Sequence, residues 1–327
     1  MFSRPKLTTP AFTLPSFAKI NWSLRILGKR PDGYHEVRTV LQTISLHDHI
    51  HLAPGDGEKI LLTCDDSDVP TDDKNLIVRA ANALRDCYGI RSGVSVRLEK
   101  RIPAKAGLGG ASSNAAVALM GLAHLWELEP SLAEIVEIGT RLGADVPFFF
   151  LGGRALGIGI GAELTPLPDG SKQYLLSVTP KATISTAEAY AALHGATSLT
   201  TTDANSMLFV SRAKSEFRHP DQWPLDEQLQ NDFERVIFDI APEIGRVKSA
   251  LLQAGARDAL LAGSGSSVFG IFENQEAQHR ALREIQAEVG WRIFSCVTLS
   301  RDEYLRAMSS SGTPRLRSFH LGSDTGA

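Results

Sequence analysis

The run Ile102-Pro103-Ala104-Lys105-Ala106-Gly107-Leu108-Gly109-Gly110-Ala111-Ser112-Ser113-Asn114-Ala115-Ala116 leads without a break into an apolar helical pattern that reaches Trp126. Few folds have room for such a segment. Glycine takes conformations closed to other residues and lets a ligand approach the main chain, so this turn can aim several backbone N–H groups at one oxyanion. The helix behind it adds unpaired N–H groups and a partial positive charge at its N-terminus. Together they make an anion site, with phosphate the favoured anion. Taken alone, the same residues also read as a glycine-rich turn capped by Ser112 or Ser113, with alanines for close packing. Other stretches of the chain have to decide between the two.

Phosphate affinity here must be local. The chain carries 34 Lys and Arg against 37 Asp and Glu, a net charge of −3, so it lacks the broad basic field of a nucleic-acid binder. Its 327 residues fit two ordinary domains, each with its own core. Cys64, Cys87 and Cys296 are scattered without pairing or ligand spacing, as in a reducing compartment. Met1 to Pro10 is polar and broken by proline, unlike a secretory leader. No apolar run approaches the roughly 18 residues of a membrane span. A cytoplasmic protein with no membrane or nucleic-acid partner is expected.

Ahead of the glycine turn, Ala18, Ile20, Trp22, Leu24 and Ile26 alternate with Lys19, Asn21, Ser23 and Arg25. This is the pattern of a half-buried strand, and it sets Lys19 and Asn21 side by side on one face. A turn cluster, Gly28 to Gly33, precedes Tyr34-His35 and a second strand around Val37–Ile44. His47, His49 and His51 then share a strand face, but no further Cys or His ligand stands near them for a metal. Residues 65–74 form an acidic loop, 75–88 a helix stopped by Gly89, and 94–98 a strand that delivers the chain to Lys100. Beyond Trp126, Ser131 and Glu134 frame a capping box for a helix ending at Gly143. Asp145 follows on a turn, and Phe148–Phe150 reads as strand.

Pro166, Pro168 and Gly170 mark a domain boundary, giving units of 14–168 and 169–308 flanked by disordered tails at 1–13 and 309–327. In the second unit, Tyr174–Val178 reads as strand and Thr186–Leu193 as helix. Loops are expected at 197–203 and 212–224, and helices at Leu225–Ile240 and Pro242–Ala254. A hairpin of Ala259–Leu261 and Val268–Phe272 encloses the loop Ala262 to Ser267; a helix over 275–289 and a strand over 291–298 complete the unit. That order is a split βαβ, or ferredoxin-like, arrangement.

Rival motifs fail on spacing. The only Gly-Lys is Gly28-Lys29-Arg30, so the P-loop NTPase signature is missing. Gly157-Ile158-Gly159-Ile160-Gly161 lacks the spacing and the following helix of a dinucleotide fingerprint. Ser16-Phe17-Ala18-Lys19 matches Ser-x-x-Lys without the companion motifs of acyl-transfer enzymes.

What remains is a strand bearing Lys19 and Asn21, a phosphate loop without a Walker lysine, Asp145 on a turn, and the late loop Gly263-Ser264-Gly265. These residues resemble the superfamily of galactokinase, homoserine kinase, mevalonate kinase and phosphomevalonate kinase, whose Pro-x-x-x-Gly-Leu-Gly-Gly-x-Ser-Ser run stands here as Pro103 to Ser113. Within it, the blocks Ala18–Asn21, Lys29–His35, Asn75–Ile77, Leu142–Phe149, Asn231–Glu234 and Gly263–Gly265 are most similar to the family of kinases acting on 4-diphosphocytidyl-2-C-methyl-D-erythritol in non-mevalonate isoprenoid synthesis. The resemblance spans about residues 18–270. It implies an α+β fold of two domains, an N-terminal βα sandwich carrying ATP and the catalytic groups and a C-terminal ferredoxin-like unit.

It also implies roles. Phosphoryl transfer needs a positioned hydroxyl, a cradle for nucleotide phosphates and Mg²⁺. Asp145 would be the general base toward the substrate hydroxyl. Lys19 would sit beside it, favouring the carboxylate and offsetting charge on the moving group. Pro103, Ala104, Lys105, Ala106, Gly107, Leu108, Gly109, Gly110, Ala111, Ser112 and Ser113 would hold the ATP phosphates, with Ser113 as a Mg²⁺ ligand and Asn75 and Lys100 near the adenine. Ala111 replaces a usual glycine and requires a backbone with negative φ there; Lys105 is likewise unusual. Asn21 would orient substrate, Tyr34 and Tyr190 would sandwich its cytosine, and His35 would bond the base edge. A monomer or homodimer binding ATP and a cytidine diphosphate alcohol is the expectation; another small-alcohol kinase of the superfamily, or a non-catalytic sensor on the same fold, is the alternative.

Overall fold

A computed structural model describes residues 9–196, 229–285 and 289–309. Two long strands carry the first half. β1 (Phe12–Lys29) and β2 (His35–Gly55) pair antiparallel along nearly their whole length, joined by the turn before Tyr34. β3 (Ile60–Cys64) and β4 (Gly93–Glu99) extend the sheet past the far half of β2, from His49 to Gly55. Its near half, Thr39 to Gln42, pairs instead with β5 (Arg154–Ile158), which forms a hairpin with β6 (Glu163–Pro166).

Behind the sheet lie α1 (Leu76–Tyr88), α2 (Gly110–Leu125) and α3 (Leu132–Leu142). Every residue of α2 from Ser113 to Ala123 is buried, because the helix is sandwiched between the sheet and the other two helices. Asn75 caps α1 by accepting from the Ile77 N–H, and Ser131 with Glu134 closes the expected capping box on α3. Phe148–Phe150 is not a strand. It forms a single helical turn, α4 (Phe148–Leu151), entered through Pro147 in helical conformation and closed by Gly152 at φ 64°. Periodicity cannot separate a short buried helix from a short buried strand.

The second sheet holds β7 (Tyr174–Thr179), β9 (Asp258–Leu261), β10 (Val268–Phe272) and β11 (Arg292–Val297) in the order β11-β7-β10-β9, all antiparallel. With α5 (Thr186–Ala196), α6 (Glu234–Ile240), α7 (Pro242–Gln253) and α8 (Gln275–Ile285), this is the expected ferredoxin-like arrangement. The helix expected over Leu225–Ile240 differs: Gln230–Asn231 is a short strand, β8, lying parallel to Ser23–Leu24 at the edge of the first sheet, and the helix starts only at Glu234. Residues 225–228, the expected loops at 197–203 and 212–224, the end of the helix expected over 275–289, residues 1–8 of the N-terminal tail and residues 310–327 lie outside the described residues.

Three details qualify the expected boundaries. β1 begins at Phe12, inside the stretch assigned to the tail. α9 (Arg301–Ser309) returns from the second unit to the first, burying Tyr304 and Met308 in the core that α2 and the first sheet form. Finally, β1 is covered on both sides around the site rather than half-buried: Lys19, Asn21 and Ser23 are as inaccessible as Ala18 and Ile20. The apolar side meets Leu175, Leu260 and Phe269 of the second sheet, while the polar side lies under the glycine loop and α4.

Candidate active site

The Lys19 ammonium lies 3.5 Å from Asp145 Oδ2, so the strand and the turn between α3 and α4 bring their charged groups together. Lys19 is almost wholly enclosed, whereas the Asp145 side chain keeps 39 % of its surface open. That asymmetry presents the carboxylate to an incoming molecule with its cation held behind it. Lys19 donates to Asn21 Oδ1 at 2.8 Å, Asn21 donates to Thr39 Oγ1 at 2.7 Å, and Thr39 donates to the Ser23 carbonyl at 2.8 Å. This chain fixes the lysine head group. Asn21 therefore sits beside the reacting charges with its amide already committed.

The glycine loop is stitched to the same strand by a bond from the Lys19 N–H to the Leu108 carbonyl, 2.9 Å long. Gly107 has φ 76°, and a Cβ there would stand 1.8 Å from the Ala262 carbonyl oxygen, so no other residue fits against the second loop. α2 starts at Gly110 behind Gly109, and no side chain caps it. The first amides of the helix are thus left without a side-chain partner, the arrangement that receives an anion. The capped-turn reading is excluded, because Ser112 and Ser113 lie within the helix. Ala111 is helical too, so its methyl costs nothing. Lys105, exposed, holds a left-handed conformation with φ 54°.

Three expected positions are otherwise engaged. Ser113 is fully buried, and its hydroxyl accepts from Ser16 Oγ at 2.8 Å, turned into the sheet and away from any metal held at the loop mouth. Ser112 stands near the turn that carries Asp145: a Cβ on Gly143 would be 3.7 Å from its Oγ. Lys100, expected near the adenine, has a buried ammonium that donates to Asp48 Oδ2 at 2.6 Å. Asn75 uses its carbonyl to cap α1 and its amide to bond the Pro70 carbonyl, which closes the loop before the helix.

Asp48 is the centre that sequence reasoning missed. Its fully buried carboxylate accepts from the Arg101 and Ile102 N–H groups at 2.7 and 2.8 Å, from Lys100 Nζ, and from Asn114 Nδ2 at 3.0 Å. It joins the loop's entry to the first turn of α2. A signal was available, since Asp48 alternates with His47 and His49 and falls in register with Leu46, Ile50 and Leu52, the side that faces the core. On the histidine side, His51 bonds Thr13 and Glu99 and His47 bonds the Ser45 carbonyl; no metal-holding cluster occurs among the described residues.

At the other end of the cleft, Tyr34 is 63 % exposed. The His35 ring stacks on Tyr190 with centroids 4.2 Å apart and an interplanar angle of 18°, so in this structure the imidazole covers a face of Tyr190 instead of waiting at a base edge. Phe233 meets Tyr190 edge-on at 4.9 Å. Burial first, and the Asp145 charge second, push the Tyr190 phenol up to about 12. The phenol and the candidate base thus share one electrostatic neighbourhood. The second loop closes the arrangement: Ser267 donates its N–H to the Ala106 carbonyl, and Ser264 Oγ lies 3.0 Å from Thr186 Oγ1 on α5.

The chain resembles known proteins along most of its length. Residues 75–153 match the GHMP kinases N terminal domain and residues 214–290 the GHMP kinases C terminal domain. A 4-diphosphocytidyl-2-C-methyl-D-erythritol kinase of Solibacter usitatus is 41 % identical over 308 residues, covering 92 % of this chain and 94 % of the relative. One of the same name from Citrifermentans bemidjiense is 41 % identical over 274 residues, covering 84 % and 94 %. A crystal structure of 4-(cytidine 5'-diphospho)-2C-methyl-D-erythritol kinase superposes with TM-score 0.67 at 30 % identity, over 88 % of this chain and all of the other. A homoserine kinase from Cytophaga hutchinsonii, 18 % identical, shares the fold with TM-score 0.65 over 92 % of this chain and 97 % of its own.

Proposed function

The chain belongs to the 4-diphosphocytidyl-2-C-methyl-D-erythritol kinase family of GHMP kinases, and from that premise we propose that it moves the γ-phosphoryl group of ATP to the 2-hydroxyl of 4-diphosphocytidyl-2-C-methyl-D-erythritol with Asp145 as general base. The observation that carries this reading is the Lys19–Asp145 pair, 3.5 Å apart beside the uncapped start of α2. Gly107 to Ser112 receive the nucleotide phosphates on main-chain amides. Asp145, open to the cleft, takes the alcohol proton as the oxygen attacks. Lys19, tethered through Asn21, balances charge on the group in flight. The second loop closes over the first from the opposite side.

Mg²⁺ arriving with ATP needs only one or two protein oxygens besides phosphate and water. Ser112 would fit that modest demand, and Ser113, fully buried and bonded to Ser16, would not, which leaves Asp145 to act as the base. The ion supplies shielding of the phosphate charge when bound. Tyr34 and Tyr190 flank the cytosine in this reading, which requires the His35 ring to leave the Tyr190 face and offer its nitrogens to the base edge. Incubating purified protein with MgATP and the cytidine diphosphate alcohol should release ADP only when both are present, and CDP should compete. Turnover of homoserine or mevalonate in its place would overturn the reading.

A further inference from the structure

The block Asn231-Asp232-Phe233-Glu234 lies outside the reacting groups, yet its residues tie together the second loop, β1 and Tyr190. Asn231, 4 % exposed on β8, donates both amide hydrogens, to the Leu261 carbonyl at 2.8 Å and the Gly263 carbonyl at 2.7 Å. Its own Oδ1 accepts from the Phe233 N–H at 3.0 Å. Asp232 accepts from the Ile26 N–H at 2.9 Å and gives its N–H to the Leu24 carbonyl, so the block is pinned to the strand that carries Lys19. Phe233 supports Tyr190, and Glu234 accepts from the Leu261 N–H at 2.9 Å.

From this geometry we infer that Asn231 is a positioning residue for phosphoryl transfer, holding the second glycine loop at the height that brings it against the first loop and the lysine. The tolerance there is small. A Cβ on Gly263 would stand 2.9 Å from the Gly107 carbonyl oxygen and 3.3 Å from Lys19 Nζ, so any drift of this loop is felt at both the phosphate cradle and the cation. A primary amide is the one neutral side-chain group of this size that can donate to two acceptors while accepting from a third.

The inference rests on the kinase reading and is tested beside it. Asn231→Asp keeps the shape and loses both donors. With ADP release as the assay, its kcat should fall about 100-fold, the scale of an ångström of misplacement, while KM for ATP shifts far less. The ratio of variant to parent kcat should rise as pH falls, because a protonated aspartate regains one donor. Thermal melting measures the folded fraction, to which kcat is normalised. Gly263→Ala, which strains the same contact from the loop side, should lower kcat likewise if Asn231→Asp fails to fold. A folded Asn231→Asp with kcat within twofold of the parent, or a fall that tracks only the lost folded fraction, overturns the positioning role. A parent that releases no ADP removes the kinase reading and this inference together.

Discussion

Replacing Asp48 with asparagine should unfold the protein more readily than the loss of one charge at its surface would. The carboxylate is fully buried and shares its two oxygens among four donors. Asparagine keeps one acceptor for the Arg101 and Ile102 amides but turns an NH₂ group toward Lys100 and Asn114, both of which donate. The Lys100 side chain, 4 % exposed, is then a buried cation without a counter-charge. Removing one partner of such a pair costs about 3–5 kcal/mol, or roughly 4–7 °C in melting midpoint for a chain of this size. Lys100→Met is milder, since three donors still satisfy the carboxylate; the lost charged bond is worth about 1.5–3 kcal/mol. The double variant Asp48→Asn, Lys100→Met buries no charge and should lose less than the sum of the two by about 2 kcal/mol. Thermal melts of all four proteins at pH 7.5, read by tryptophan fluorescence, complete the cycle. An Asp48→Asn midpoint within about 2 °C of the parent, or a strictly additive cycle, would refute the reasoning.

Asp145→Asn should lower kcat by about 10²–10⁴-fold, the usual contribution of a general base, while titration calorimetry still finds ATP bound; unchanged turnover would remove Asp145 as the base. Tyr34→Ala should raise KM for the cytidine substrate by the worth of one stacking face, about 1–3 kcal/mol, and leave that for ATP unchanged, whereas equal effects on both would discredit the base sandwich. Burial, then the neighbouring His47 and Arg101, hold His49 below its ordinary 6.5. The unfolded chain therefore binds the proton more readily than the native one, and stability present above pH 6.5 is lost as pH falls below it. His49→Gln should flatten the fall in urea midpoint between neutral pH and about pH 5.5; an unaltered slope would show that other groups set it.

Much of the site was legible because its chemistry is carried by local patterns. Period two put Lys19 and Asn21 on one face of β1, and the glycine run identified the start of α2. The ferredoxin-like order followed from turn residues and apolar spacing in the second half, where each element is bounded by its own punctuation. The failures share a different cause. Whether Ser113 or Ser112 faces the loop mouth depends on where α2 begins, and Ser16, far away in sequence, settles it by bonding Ser113. Lys100 was expected near the adenine because its partner Asp48 lies on another strand, out of reach of any local pattern. β8 is too short to have a period at all; its pairing with Leu24 and the two carbonyls that Asn231 gathers outweigh the helical tendency around it. Phe148–Phe150 is apolar at every position, and only the turn at Gly152 reveals how it winds.

The return of α9 to the first sheet has a consequence for synthesis. Tyr304 gives its hydroxyl hydrogen to the carbonyl of Phe149, four residues past Asp145, and its ring rests where Gly152 leaves room for it. A nascent chain that has emerged from the ribosome only as far as β11 therefore carries every reacting group without the brace behind Asp145. On the kinase reading proposed above, a chain cut short before α9 should therefore hold Lys19 and Asp145 yet turn over substrate poorly, until the helix that follows them by more than a hundred positions is supplied.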